Sequence, residues 1–128
     1  MVINTKDEVS LFAVHHQKIG FRFALHGIKW ALTHQVNIKI HVYAIVIVVL
    51  LGLILNLQTS EWLFIVSAIF SVLVTEMINT SIEQATDAVT KKFDSTIGLS
   101  KDLAAGAVLL SAIYASIIGI IIFLPKIL

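Results

Sequence analysis

The chain reads WLFIVSAIFSVLVT from Trp62 to Thr75 and continues EMINTSIEQATD from Glu76 to Asp87, and this segment decides its fold. Neither proline nor glycine interrupts it, so we predict one long helix whose first half is apolar and whose second half carries three carboxylates. At about 100° per residue, these carboxylates lie within about 40° of one another, flanked by an amide and a hydroxyl. We call this face the polar stripe; its members are Glu76, Asn79, Thr80, Glu83 and Asp87.

Acidic residues in a helix of membrane length are costly. A charge at the centre of a bilayer costs roughly 2.5–3.5 kcal/mol on insertion scales, so such residues usually face a protein interior or a wet cavity and serve a function. The alternative is that the helix leaves the membrane here and that Glu83 and Asp87 are simply solvated. This alternative suits Glu76 less well, because apolar residues continue on both sides of it.

The composition places the chain among membrane proteins. Of its 128 residues, 58% are hydrophobic and only 13% are charged. The absence of cysteine excludes disulfides, thiolate metal sites and a cysteine nucleophile. The sequence also lacks GxxxxGK[ST], GxGxxG, HRD and DFG motifs, which excludes the nucleotide sites of P-loop proteins and of soluble protein kinases.

We therefore predict an all-α membrane protein with an N-terminal amphipathic surface helix and three transmembrane helices. Residues 1–14 are expected to be a flexible N-terminus and residues 15–128 a single domain. Within it we expect the surface helix at about 15–36 and spans at about 40–58, 62–90 and 101–124. Ser100 is the expected N-cap of the third span, and Pro125 its expected end.

The distribution of basic residues predicts the orientation in the membrane. Five of the nine precede the first span, three lie between the second and third spans, and the connection between spans one and two has none. The positive-inside rule thus places the N-terminus and the Lys91–Lys101 loop in the cytoplasm, together with the polar end of the stripe. Three spans are too few to enclose a cavity around the acids, so we also expect an oligomer.

A second cluster begins the third span and reads KDLAAGAV from Lys101 to Val108. The helix dipole alone would favour Asp102 near a helix N-terminus, and alanine and glycine permit close helix packing. Taken with the polar stripe, however, an acid cluster, a lysine and a helix N-terminus are the parts needed to hold a metal–nucleotide complex.

The two motifs, ExxNTSIExxxD from Glu76 and KDxAAGAV from Lys101, closely resemble those of the bacterial diacylglycerol kinase family, which includes undecaprenol kinases. The resemblance extends from about Phe21 to the C-terminus. The ending FLPK, from Phe123 to Lys126, is more similar to members from Gram-positive and related lineages, where undecaprenol is the usual acceptor.

This resemblance implies a homotrimer of three-span subunits in the bacterial plasma (inner) membrane, with the N-terminus and active site in the cytoplasm. It implies phosphorylation of a membrane lipid alcohol, undecaprenol or diacylglycerol, with ATP as co-substrate and Mg²⁺ as cofactor. The partners are then the lipid, ATP and the bilayer, and no nucleic acid is expected.

The resemblance also implies a role for individual residues. Glu76 would be the general base toward the lipid hydroxyl. Metal and nucleotide binding are expected of the following residues: Glu83 as a magnesium ligand that also contacts the nucleotide, Asn79 beside the phosphates, Lys101 and Asp102 on the nucleotide, Phe23 near its base, and Lys92 as a further ATP contact. Thr80 and Asp87 complete the stripe as supporting polar residues.

At Gln35 the chain departs from the family pattern. The family normally has a second metal-binding glutamate two residues before the asparagine of an ExN segment, and this chain reads Gln35-Val36-Asn37. A neutral amide oxygen can bind magnesium but neutralises less of its charge. We therefore expect a working kinase with a weakened affinity for magnesium, in which Gln35 is the second metal ligand.

Two other classes of function remain open at this stage. Buried carboxylates also mark ion or proton pathways, although a pathway needs polar residues across the whole bilayer and these acids cluster at one end of one helix. A catalytically silent relative that serves as a membrane binding or assembly module is the other alternative, and Gln35 is the feature in its favour.

Overall fold

The structure is a computed structural model that describes residues 20–89 and 94–128. These residues form four helices and no strand, namely α1 (Gly20–His34), α2 (Val36–Ile54), α3 (Thr59–Val89) and α4 (Ser95–Ile127). In this part of the chain, α2, α3 and α4 are long and apolar enough to cross a membrane. The prediction of an all-α membrane protein with three transmembrane helices is thereby confirmed.

The chain divides into two units, one up to Gln35 and one from Val36 to Leu128. In the first unit, α1 ends at His34, whose ring stacks on Trp30 with the ring centroids 5.0 Å apart. The predicted surface helix therefore ends two residues early, because Gln35 leaves the helical conformation. Its predicted residues 15–19 and the N-terminal segment 1–14 lie outside the described residues, and its place at the membrane surface stays a prediction.

In the second unit, α2 and α3 are joined by a tight turn. Asn56 has a φ of 52°, and asparagine tolerates this left-handed conformation better than most residues. Gly52 lies against the indole of Trp62, where an added Cβ would be 2.7 Å from the nearest ring carbon. The lack of a side chain at position 52 thus lets the start of α3 pack directly on the end of α2.

The antiparallel pair of α3 and α4 is the main packing unit of the second unit, and α3 shares a smaller interface with α2. Its apolar core contains Leu57, Ile65 and Ile122. Four side-chain interactions join α3 to α4 along their length: Glu61–Lys126 at 3.1 Å, Ser67–Tyr114 at 2.9 Å, Thr75–Ser111 at 2.7 Å and Asp87–Lys101 at 2.5 Å. The polar stripe therefore lies on the helix whose position is fixed most thoroughly.

The limits of the spans differ from those predicted, most of all in α4. It begins at Ser95 rather than near residue 101, because Oδ1 of Asp94 accepts hydrogen bonds from the backbone N–H groups of Thr96 and Ile97. Ser100 is not the N-cap; it lies within the helix, and its hydroxyl donates to the carbonyl of Thr96. An aspartate is as good a cap as a serine, and this one comes first along the chain.

Pro125 also does not end the third span, since α4 continues to Ile127. Proline loses its own N–H bond and its ring crowds a carbonyl of the preceding turn, but this bends a helix without having to end it, and here only two helical residues follow. The first span, α2, begins four residues before the predicted start and ends four residues before the predicted end, and α3 begins three residues early. The predicted end of the second span, residue 90, lies outside the described residues.

Candidate active site

The polar stripe becomes more deeply buried from the end of α3 towards its centre. Glu76 is 2% exposed, and Asn79 and Thr80 are 6% exposed. Glu83, further along, is half-buried, and the side chain of Asp87 is 61% exposed. Solvation therefore explains Asp87 but not Glu76, Asn79 or Thr80, which lie in the protein interior at the expense of burying polar groups.

The carboxylate of Glu76 makes no hydrogen bond or ion pair with any residue in the ranges 20–89 and 94–128. Its chain neighbour Thr75 is bound to Ser111 of α4. A buried carboxylate that no donor occupies is available to accept a proton, which is the property a general base requires.

Asn79 and Glu83 form the next layer of the stripe. The amide nitrogen Nδ2 of Asn79 donates to Oε1 of Glu83 at 3.3 Å. The amide oxygen Oδ1 of Asn79 is fully buried and has no hydrogen-bond partner within the described part of the chain. Buried acceptors are nearly always bonded, so this one calls for an explanation such as a ligand or an ion.

Asn79 and Glu83 fit a magnesium site in their chemistry. Carboxylate and amide oxygens are the ligands that Mg²⁺ takes from proteins, and the ion is usually bound through one or two carboxylates together with substrate phosphates and water. The described residues contain no group of three or more histidine, cysteine or acidic side chains that could hold a metal alone. A site here would need the phosphates to complete it.

Lys101 is the residue of α4 that the structure brings to the stripe. Its ammonium group pairs with Oδ1 of Asp87, and the two side chains are 35% and 61% exposed. Asp102, the next residue, is exposed. Because α4 begins at Ser95, Asp102 lies beyond the first two turns, and the expected stabilisation by the helix N-terminus is wrong: that effect fades within the first turn.

For three further predicted site residues, the placement relative to the stripe stays a prediction. Phe23 and Gln35 belong to the first unit, where Phe23 lies within α1 and Gln35 is the half-buried residue after α1 ends. Lys92 lies outside the described residues. Their roles stay predictions.

An apolar groove crosses the second unit, with a volume of about 360 Å³ and walls from α2, α3 and α4. Among the described residues that line it, His41 and Ser116 are the polar ones, and Gly119 contributes no side chain. A Cβ added at Gly119 would meet no atom within 4 Å, so the space beside it is open. The groove has the character of a site for a hydrocarbon chain.

The groove and the Thr75–Ser111 bond were not found from the sequence. The hydroxyls of span three are visible there, but nothing in the sequence shows which of them faces α3, since the pair is separated by 36 residues. The alternation of small residues with hydroxyls in α4 is the one signal that could have suggested close packing.

Comparison with known proteins decides the family. The family model of prokaryotic diacylglycerol kinase matches residues 22–123, which include the whole polar stripe and Lys101. The chain belongs to the prokaryotic diacylglycerol kinase family. It is accordingly a lipid kinase, as the sequence motifs predicted.

Two relatives illustrate the range of this family of lipid kinases. The chain is 36% identical over 107 residues to the undecaprenol kinase of Bacillus subtilis (strain 168), an alignment that covers 84% of the chain and 87% of that protein. It is 33% identical over 111 residues to the diacylglycerol kinase of Synechocystis sp. (strain ATCC 27184 / PCC 6803 / Kazusa), covering 86% of the chain but only 63% of that protein. The chain thus spans less than two thirds of the second relative.

Proposed function

We propose that this lipid kinase transfers the γ-phosphoryl group of magnesium-bound ATP to the hydroxyl of a membrane polyprenol such as undecaprenol, with diacylglycerol as the second candidate acceptor. The Bacillus relative, which the alignment covers over most of its length, supports the polyprenol. The observation that carries the proposal is the buried face of α3, where Glu76 and Asn79 lie one turn apart, and where neither the Glu76 carboxylate nor Oδ1 of Asn79 has a hydrogen-bond partner within residues 20–89 and 94–128.

In this proposal Glu76 takes the proton of the lipid hydroxyl. The O–H bond of the alcohol breaks as its oxygen bonds to the γ-phosphorus, the bond between that phosphorus and the bridging oxygen breaks, and ADP leaves. Because Glu76 is buried, water is kept from competing with the lipid hydroxyl as the acceptor of the phosphoryl group. A positioned base typically contributes about 10²–10⁴-fold to the rate.

The residues around Glu76 would hold the nucleotide. Glu83 and the Oδ1 atom of Asn79, with Gln35 as a further ligand, would bind magnesium, which neutralises phosphate charge when it is present. Lys101 would exchange part of its contact with Asp87 for a phosphate oxygen, as a lysine does in many phosphate sites. Asp102, Phe23 and Lys92 are the other proposed contacts of the nucleotide.

The lipid alcohol would lie with its chain in the apolar groove and its hydroxyl toward the stripe. The groove is lined by three membrane helices and is open to the side, as a hydrocarbon chain entering from the bilayer requires. We further propose a homotrimer in the bacterial plasma membrane with the stripe on the cytoplasmic side, because the basic residues flank that side and one subunit alone leaves Glu83 half-exposed.

The decisive experiment compares Glu76→Gln with Glu61→Gln in the purified protein, reconstituted with undecaprenol or with diacylglycerol and ATP. Both glutamates lie on α3, but Glu61 is at the opposite end, paired with Lys126. We expect Glu76→Gln to lower the rate at least about 10²-fold and Glu61→Gln to change it less than about twofold. Retained turnover in Glu76→Gln would remove the proposed base.

The same preparation tests the co-substrates. Removing Mg²⁺ with a chelator should stop phosphate transfer from ATP, and adding Mg²⁺ back should restore it. A higher kcat/KM for diacylglycerol than for undecaprenol would reverse the proposed acceptor. No transfer to either lipid, with the protein folded, would instead support the silent relative.

A further inference from the structure

A pair of hydroxyl groups joins α3 to α4 next to the proposed base. Oγ1 of Thr75 and Oγ of Ser111 are 2.7 Å apart. Ser111 is only 6% exposed, and Thr75 is half-buried. Such a bond lies in surroundings of low dielectric constant, where hydrogen bonds are electrostatically stronger than in water.

Neither hydroxyl needs this bond to avoid being left unpaired. Thr75 also lies within hydrogen-bond distance of the carbonyls of Ser71 and Val72, at 2.9 and 3.0 Å. The hydroxyl of Ser111 likewise lies 2.8 Å from the carbonyl of Val108, so when one of the two hydroxyls donates to the other, the second donates to its own helix. Neither hydroxyl therefore depends on this contact for a hydrogen-bond partner. The effect of the contact is geometric: it sets how α3 is rotated against α4 at this depth.

That rotation matters because the carboxylate of Glu76, the very next residue, has no bond of its own within residues 20–89 and 94–128 to hold it. Its direction therefore follows the backbone of α3 and the side chains packed around it. Ser111 also lies on α4, the helix that carries Lys101. The same contact therefore fixes the position of Lys101 along the helix axis relative to Glu76.

We propose that Thr75 and Ser111 are positioning residues, which hold α3 and α4 in the register that aims Glu76 at the lipid hydroxyl. This inference rests on the proposed role of Glu76. It adds that the base is oriented from the neighbouring helix, through a contact that touches neither the lipid nor the nucleotide.

The test is a double-mutant cycle with Thr75→Val and Ser111→Ala, measured by steady-state kinetics in reconstituted bilayers. Each change removes one hydroxyl and leaves the other bonded to its own helix, so no buried group loses its last partner. We expect kcat to fall about three- to twentyfold in each variant, the factor that corresponds to the measured range of interhelical hydrogen bonds in membranes.

Two features separate positioning from a general loss of stability. The KM for ATP should stay within about twofold of the original, and the double variant should be no slower than either single one. The exchange of both residues, Thr75→Ser with Ser111→Thr, keeps two hydroxyls and should recover most of the lost kcat. Additive losses, or no recovery on exchange, would overturn the proposal.

The matched control is the second hydroxyl pair between the same helices, Ser67 and Tyr114, at 2.9 Å. It lies nine residues from Glu76 along α3, about 13 Å. Ser67→Ala and Tyr114→Phe should leave kcat within about twofold. An equal loss in these variants, or unchanged kcat in Ser111→Ala, would overturn the inference while leaving the Glu76→Gln result, and hence the proposed function, untouched.

Discussion

Replacing Asn79 with leucine separates the contribution of this residue to stability from its contribution to catalysis. Asn79 is 6% exposed, its Nδ2 atom donates to Glu83, and its Oδ1 atom has no partner within the described part of the chain. Leucine has a similar size, removes both polar atoms and is a better helix former.

The structure indicates the sign of the change in stability. The bond to Glu83 is long at 3.3 Å, so its loss should cost about 1.5 kcal/mol, the lower end for a hydrogen bond to a charged group. Relief of the unpaired, buried oxygen should return about 1–3 kcal/mol, and the helix propensity adds a few tenths. The free energy of unfolding should therefore be unchanged or higher by up to about 2 kcal/mol.

Activity should change in the opposite direction. If Asn79 contacts the metal or the phosphates, its loss should lower kcat/KM for ATP by about 10²–10³-fold, the usual effect of removing one group that stabilises developing charge. Unfolding in a denaturing detergent and phosphate transfer in bilayers measure the two quantities on the same preparation.

The control for Asn79→Leu is Thr86→Val on the same helix, where the hydroxyl bonds, among the described residues, to the carbonyls of Ile82 and Glu83 in its own helix. Both quantities should stay close to those of the original protein. A stability loss of more than about 1 kcal/mol in Asn79→Leu, with activity retained, would refute the reasoning and make Asn79 a structural residue.

Three further predictions concern the rest of the site. Asp87→Asn should lower the free energy of unfolding by less than about 1 kcal/mol, since its ion pair with Lys101 is largely exposed. Lys101→Met should lower kcat/KM for ATP about tenfold or more. Equal losses of kcat/KM in the two variants would indicate that the ion pair matters rather than a contact of the lysine with the nucleotide. Gln35→Glu should lower the magnesium concentration that gives half-maximal rate, and an unchanged requirement would argue against Gln35 as a ligand. Gly119→Leu should fill the groove and raise the KM for the lipid severalfold without changing that for ATP, while Ile120→Phe, on an exposed position of the same helix, should leave both KM values unchanged.

Much of the fold was predictable because the apolar stretches are long and the polar turn at Asn56 is short. The limits of α4 were not, since Asp94 and Ser100 are both suitable caps and local sequence does not show which one the chain uses. Pro125 misled because a proline disturbs the preceding turn without always ending the helix, and the sequence does not show whether the last two residues stay helical.

The polar stripe was predictable from periodicity alone, because residues on one helix keep fixed angular relations whatever surrounds them. The contacts between helices were not. Asp87 meets Lys101 across 14 residues and Thr75 meets Ser111 across 36, and these pairings depend on how two helices are rotated and staggered. The sequence also did not show that Oδ1 of Asn79 is buried without a partner within the described part of the chain, since burial depends on the packing of other helices.

The four side-chain interactions between α3 and α4 are spread along both helices, from Glu61–Lys126 at one end to Asp87–Lys101 at the other. Because these contacts join them, α3 and α4 resist sliding along each other. We therefore expect the reaction cycle to proceed without an axial shift between these two helices. The interface of α2 with α3 is smaller. We therefore expect α2 to move away from α3 when a long hydrocarbon chain enters or leaves the groove from the bilayer. The pair of α3 and α4, which carries the proposed active site, would then stay rigid while α2 moves to admit the lipid.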